Sequence, residues 1–238
     1  MGIWERLNLD MDAHRLVALV GGGGKSSTMY AMAKQASDSG RKAVVTTTTH
    51  ILPHPGLPLA GGLGELAALL GRYPVATLGA YDARGKLTGA GDPGACLALA
   101  DVVLAEADGA KLRPLKAPAD HEPVIPPGAH AVIASAGLDC VGQAIEVVCH
   151  RPERVCALLG TGPDHILTPA DVAAVLASPL GGRKGVGPNM AFRCLLNKAD
   201  NPLRRRWGYE IQALLARQGI HSAVTYYREE ERGGQCLF

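Results

Sequence analysis

The sequence predicts a single α/β domain, residues 1–238, built on a mostly parallel sheet flanked by helices, with a small irregular or hairpin insertion at about residues 53–95. Three observations carry this reading. Leu16 to Val20 is a continuous apolar run of the kind a fully buried parallel strand produces, and it stops at the glycines Gly21 to Gly24. From Ser27 the apolar positions Met29, Met32, Ala33 and Ala36 recur at helical spacing, and Gly40 supplies a C-terminal stop. Ala43 to Val45 and the threonines Thr46 to Thr49 then form a second β-rich run, which completes a βαβ unit with a right-handed crossover.

The later elements follow the same logic. Leu63, Leu66, Ala67 and Leu70 form a helical stripe, whereas Val75 to Leu78 and the stretch after Asp82 to Gly85 read as a hairpin or irregular insertion. Val102 to Ala105 and Ala131 to Ala134 are buried strands. Pro152 to Leu159 and Pro169 to Ala177 carry proline at the first helical turn, with Thr168 as N-cap and Asp171 behind it. Cys194 to Leu196 is a strand, the segment after Pro202 is a helix with Ile211, Leu214 and Leu215 inward, and Val224 to Tyr227 is the last strand.

Composition narrows the function classes. Lys and Arg number 24 against 22 for Asp and Glu, a net charge of +2, which argues against a nucleic-acid binder. Aromatic residues make up only 4%, so base-stacking platforms are not expected. The 6 cysteines show no C-x-x-C spacing, so reduced thiols are expected in place of a disulfide frame or structural zinc. No apolar run is long enough to cross a bilayer, and the expected setting is the cytoplasm.

Between the first strand and its helix lies Val20-Gly-Gly-Gly-Gly-Lys25-Ser26-Ser27. Successive N–H groups of Gly21, Gly22, Gly23 and Gly24 and the positive end of the helix suit an anionic phosphate. Lys25 supplies charge to the β- and γ-phosphates, the Ser26 hydroxyl suits Mg²⁺, and Ser27 adds a further donor. This is a P-loop, and the fold it predicts is P-loop NTPase-like. Leu19 stands where the motif has its first glycine. A glycine-rich turn without a ligand, or a dinucleotide loop, are the competing explanations.

Glu106 and Asp108 end the third buried strand and fall on one face of it, bordering the phosphate site. They are candidate Mg²⁺ ligands and, with Lys25, candidate catalytic residues; a solvated acidic turn is the alternative. Asn197-Lys198-Ala-Asp200 directly follows an apolar strand, where guanine-recognition loops lie. A carboxylate at Asp200 accepts from guanine N1–H and its exocyclic amine, Lys198 covers the base, and Asn197 braces the loop. This favours GTP over ATP, against the alternative of a polar turn capping the next helix. Thr49 and His50 end the second strand at the same edge, while Lys111, Lys116, His121 and Glu122 lie in or beside a proline-rich loop. These six are candidates for a second-substrate site or a switch.

The segments Val20-Gly-Gly-Gly-Gly-Lys25-Ser26, Thr46-Thr-Thr-Thr-His50, Glu106-Ala-Asp-Gly-Ala-Lys111, Leu115-Lys-Ala-Pro-Ala-Asp-His-Glu-Pro123, His150-Arg-Pro152, Leu167-Thr-Pro169 and Leu196-Asn-Lys-Ala-Asp200 together resemble the YqeC-type family. That family is described as selenium-dependent molybdenum hydroxylase accessory proteins. The resemblance implies a role in maturation of a selenium-containing molybdenum cofactor, with a molybdenum hydroxylase or another maturation protein as partner. Combined with the residues, it leads to a Mg-nucleotide-binding NTPase. A small-molecule kinase or ligase and a non-catalytic nucleotide-gated scaffold are the alternatives.

Overall fold

The computed structural model describes residues 2–227. Eight parallel strands form the central sheet: β1 (Leu16–Gly21), β2 (Ala43–Thr47), β3 (Leu59–Ala60), β4 (Val75–Leu78), β5 (Val102–Glu106), β6 (Ala131–Gly137), β7 (Ala191–Asn197) and β8 (His221–Val224). Their spatial order is β8-β7-β6-β1-β5-β2-β4-β3. The fold is therefore α/β with a mostly parallel sheet, consistent with a P-loop-like architecture. Six helices matter to its packing: α1 (Ile3–Arg6), α2 (Lys25–Asp38), α3 (Leu63–Leu70), α4 (Pro152–Leu159), α5 (Pro169–Ala177) and α6 (Pro202–Ala216).

Strand alternation divides the core between the two faces of the sheet. Val17 and Leu19 of β1 pack in one cluster with Met29, Met32, Ala33 and Ala36 of α2. Ala18 and Val20 point the other way, toward a cluster that includes Val172, Val175 and Leu176 of α5 and Ile211 and Leu215 of α6. Covering both faces is what lets β1, β5 and β6 be almost wholly apolar. Met29 and Met32 are fully buried, each contributing about 2 kcal/mol of transfer free energy. α1 closes the same face as α2, with the indole N–H of Trp4 donating to the Met32 carbonyl at 3.0 Å.

α4 and α5 begin at the prolines that marked them, whereas α2 begins at Lys25, two residues before the expected Ser27, and α1 was not expected. Thr168 caps α5 by accepting from the Asp171 N–H, and the Asp171 carboxylate accepts from the Thr168 N–H at 2.8 Å, a complete capping box. Thr168→Ala is expected to cost about 1 kcal/mol in denaturant unfolding without changing the far-ultraviolet spectrum.

Two elements differ from the sequence expectation. Val75–Leu78 is no part of an irregular insertion: it is buried throughout and pairs parallel with β2, and Leu59–Ala60 extends the sheet beyond it. The hairpin stands just after, with Ala80–Tyr81 antiparallel to Leu87–Thr88, which also pairs with His50–Ile51. The last strand lies at His221–Val224 rather than Val224–Tyr227, because its ladder with β7 runs from Arg193 to Leu196. The β-branched and aromatic residues that marked the later stretch follow the strand.

Candidate functional site

β1 connects through α2 to β2 on one side of it, whereas β6 lies on its other side. The strand order reverses at β1, and the crevice at its carboxyl end is where open α/β sheets place ligands. The loop Gly21–Gly24 fills that position. β5 is the direct neighbour of β1, with Leu19 in register with Glu106, so the carboxylates arrive beside the loop without an intervening strand.

Lys25 is 5% exposed and turned inward. Its Nζ lies 3.1 Å from Asp108 Oδ1, 3.6 Å from Glu106 Oε1 and 2.5 Å from the Gly21 carbonyl. Ser26 Oγ donates to Glu106 Oε2 at 2.9 Å, and the Gly21 N–H donates to Asp108 Oδ2 at 3.0 Å. Burial alone would lower the Lys25 pKa, but the charges of Asp108 and Glu106 hold it above the ordinary lysine value. Burial pushes the Glu106 carboxyl up, against the pull of Lys25 and Ser26. Tyr30, one helical turn beyond Ser26, has its phenol raised by burial and by the charge of Glu106.

The oxygen donors converging here, one hydroxyl and two carboxylates, fit Mg²⁺, which takes few protein ligands and completes its shell with phosphate and water. Among the described residues no three His, Cys, Asp or Glu side chains converge as metal ligands, so a cation relying on protein alone is not built in. Ser26, Glu106 and Asp108 would hold Mg²⁺, whose charge would offset the burial of both carboxylates.

The loop's own N–H groups are only partly available. Gly22 donates to the Ser135 carbonyl at 2.8 Å and Gly23 to the Arg113 carbonyl at 3.2 Å. The cradle is therefore narrower than the glycine run suggested. It centres on the first turn of α2, whose N-cap Gly24 brings no side-chain acceptor. The segment Arg113–Pro114 lies against the loop, and the Gly137 N–H donates to the Pro114 carbonyl at 2.8 Å. Ser27 is half-buried on that same first turn.

Asn197 is brought to the loop from the end of β7: its Nδ2 donates to the Gly23 carbonyl at 2.9 Å, and its Oδ1 accepts from Thr225 at 3.3 Å. Lys198 adopts φ 64° and pairs with Asp139 at 2.6 Å. Asp200 is exposed and pairs with Arg204 at 2.8 Å.

Of the six second-site candidates the structure gathers two. Lys116 Nζ lies 3.1 Å from Asp108 Oδ2 and 2.8 Å from Glu122 Oε2. Lys111 is exposed at φ 46°, and His121 is exposed. Thr49 bonds Thr47, and His50 stands 3.6 Å from Asp82, away from the charge cluster. The histidine that reaches the cluster is His150, in register with Lys116 through the short parallel pair Leu115–Lys116 and Cys149–His150, with Arg151 beside it. Sequence reasoning assigned no role to His150 or Arg151; proximity to Lys116 depends on a pairing across more than thirty residues.

A sequence model of the family described as YqeC protein matches residues 17–153. The chain belongs to the YqeC family. A relative from Escherichia coli (strain K12), described as an uncharacterized protein YqeC, is 32% identical over 203 residues, covering 76% of this chain and 75% of its own. No solved structure matches the chain. The family match takes in the Gly21–Ser27 loop, the carboxylates, the proline-rich loop and His150-Arg151, and ends before Asn197. Among the described residues no helix is long and apolar enough to cross a membrane. The five described cysteines are free, and burial raises the thiols of Cys140, Cys149 and Cys194, Cys149 to about 12. Those three are poor nucleophiles. Cys236 lies outside the described residues.

Proposed function

We propose that this YqeC-family protein binds a Mg-nucleoside triphosphate at Gly21–Ser27, with GTP favoured over ATP, and hydrolyses it while assisting maturation of a selenium-containing molybdenum cofactor. The observation that carries the nucleotide reading is the buried contact set in which Lys25 and Ser26 rest on Asp108 and Glu106 at the switch point of the sheet. On binding, the Lys25 ammonium would exchange carboxylate for phosphate oxygens, and Ser26, Glu106 and Asp108 would hold a Mg²⁺ whose charge neutralises the phosphates. The brace from Asn197 to the Gly23 carbonyl supports a base site at this loop, because it ties the candidate base-recognition loop to the phosphate loop, and the preference for guanine rests on the carboxylate of Asp200. The maturation role comes from family resemblance alone.

Titration with GTP and ATP, with and without Mg²⁺, tests the reading. Wild type is expected to bind GTP more tightly than ATP, and only with Mg²⁺ at full strength. Asp200→Asn is expected to weaken GTP by about tenfold or more and to favour xanthine nucleotides, since the amide matches a base carrying a carbonyl where guanine has its amine. Unchanged base preference in Asp200→Asn would remove the guanine assignment.

A second reading is favoured by the partly buried cluster of Lys116, Glu122, His150 and Arg151 beside Asp108: transfer of the terminal phosphoryl group to a small acceptor. Product analysis separates the two. Phosphate released on addition of a molybdenum hydroxylase supports the first, and a phosphorylated small molecule supports the second.

A further inference from the structure

Five charged side chains of alternating sign run from the P-loop to the surface. Lys25 meets Asp108 Oδ1 at 3.1 Å, Asp108 Oδ2 meets Lys116 at 3.1 Å, Lys116 meets Glu122 Oε2 at 2.8 Å, and Glu122 meets Arg151 at 2.9 Å. Their side-chain exposure is 5%, 3%, 1%, 11% and 23% in that order, so the series begins in the core and opens at Arg151. Each inner member depends on the next for charge compensation, because a buried ion deprived of its partner is costly.

The other bonds hold the series in place. Asp108 Oδ2 also accepts from the Gly21 N–H, which fixes the start of the P-loop, and Lys116 also donates to the Gly109 carbonyl at 2.7 Å. Glu122 Oε1 accepts from Arg151 Nη2 at 3.3 Å, and the Ala119 N–H donates to Oε2 at 3.3 Å. Arg151 adopts φ 60°, a left-handed conformation uncommon for a residue with a side chain, and its Nη1 lies 2.6 Å from the His150 ring.

We infer that Lys116, Glu122 and Arg151 are positioning residues for Asp108, so that the surface end of the series sets the order of the P-loop and its affinity for Mg-triphosphate. The coupling is reciprocal: a nucleotide that draws Lys25 away alters the charge balance at Glu122 and Arg151. The affinity part rests on the nucleotide reading above, while the ordering of the loop does not.

The test is hydrogen exchange of the full-length, nucleotide-free chain, read on peptides spanning residues 17–30 and, as a reference for global opening, residues 191–197. The variants are Glu122→Gln and Arg151→Lys, with Asp120→Asn as control because Asp120 pairs outside the series, with Arg154. Glu122→Gln is expected to speed exchange of the P-loop peptide by about tenfold, with Arg151→Lys between it and wild type, while the β7 peptide keeps its wild-type rate. Mg-GTP affinity in Glu122→Gln is expected to fall by about tenfold. P-loop exchange no faster than in the control, or equal acceleration of both peptides, would overturn the inference. If Glu122→Gln does not fold, Arg151→Lys, at the exposed end, decides by the same comparison. Absence of triphosphate binding in wild type would instead defeat the nucleotide reading, and the exchange comparison would still decide the positioning role.

Discussion

Lys25→Met is expected to weaken the proposed Mg-triphosphate binding by at least about a hundredfold, in a protein that still folds. The substitution keeps the apolar stem, one atom shorter, and removes the ammonium with its charge and its hydrogen bond to the Gly21 carbonyl. Two consequences follow from the contacts. On the proposed reading the phosphates would lose the one cation the loop supplies, which is the basis of the expected binding loss. Asp108 keeps Lys116 and the Gly21 N–H, but Glu106 keeps only the Ser26 hydroxyl, so a buried carboxylate is left poorly compensated. Breaking a buried pair in this way costs about 3 kcal/mol, and less where the orphaned carboxyl takes up a proton. Thermal unfolding and calorimetric titration measure the two effects separately. Adding Glu106→Gln to Lys25→Met is expected to recover much of the stability and none of the binding. Retention of binding in the single variant would mean that the ammonium serves only to neutralise the carboxylates.

Gly23→Ala has the largest expected effect on the loop itself. Gly23 sits at φ 72°, and an added Cβ would lie 2.0 Å from the Gly137 nitrogen and 2.5 Å from the Gly137 Cα. Those are backbone atoms at the end of β6, held by the Pro114 carbonyl, and they cannot swing aside as a flexible side chain would. Either β6 or the loop must move, at a cost above about 3 kcal/mol. Gly40→Ala provides the comparison: its φ is 79°, but nothing lies within 4 Å of the added carbon. It is expected to cost only about 1 kcal/mol, the price of the left-handed backbone alone. Denaturant unfolding of both variants separates the steric effect from the conformational one. Similar losses in the two would show that the loop has room that the packing denies.

The sequence made much of this arrangement legible, for physical reasons that differ by element. β1, β5 and β6 are apolar on both faces, so their composition alone marks them, and α2, α4 and α5 carry periodicity or proline at the first turn. The contacts of Lys25 with Glu106 and Asp108 follow from adjacent parallel strands ending at one edge. β3 was hidden because two residues carry no period, and β4 because a four-residue buried run beside a hairpin looks like part of it. The link from Lys116 to Arg151 was hidden for another reason: it is made by pairing distant segments, and neither segment alone signals its partner. His121 was the nearer choice in sequence, but the loop turns it to solvent while Glu122 faces Lys116.

A crystal structure of the wild-type chain with Mg²⁺ and a non-hydrolysable GTP analogue addresses the central claim most directly. The account predicts terminal phosphate oxygens at the first turn of α2, Lys25 Nζ within hydrogen-bond distance of them and withdrawn from Asp108, and Mg²⁺ between the phosphates and Ser26. Lys25 still seated on Asp108 and Glu106 at saturating analogue, with the nucleotide elsewhere or absent, would contradict it.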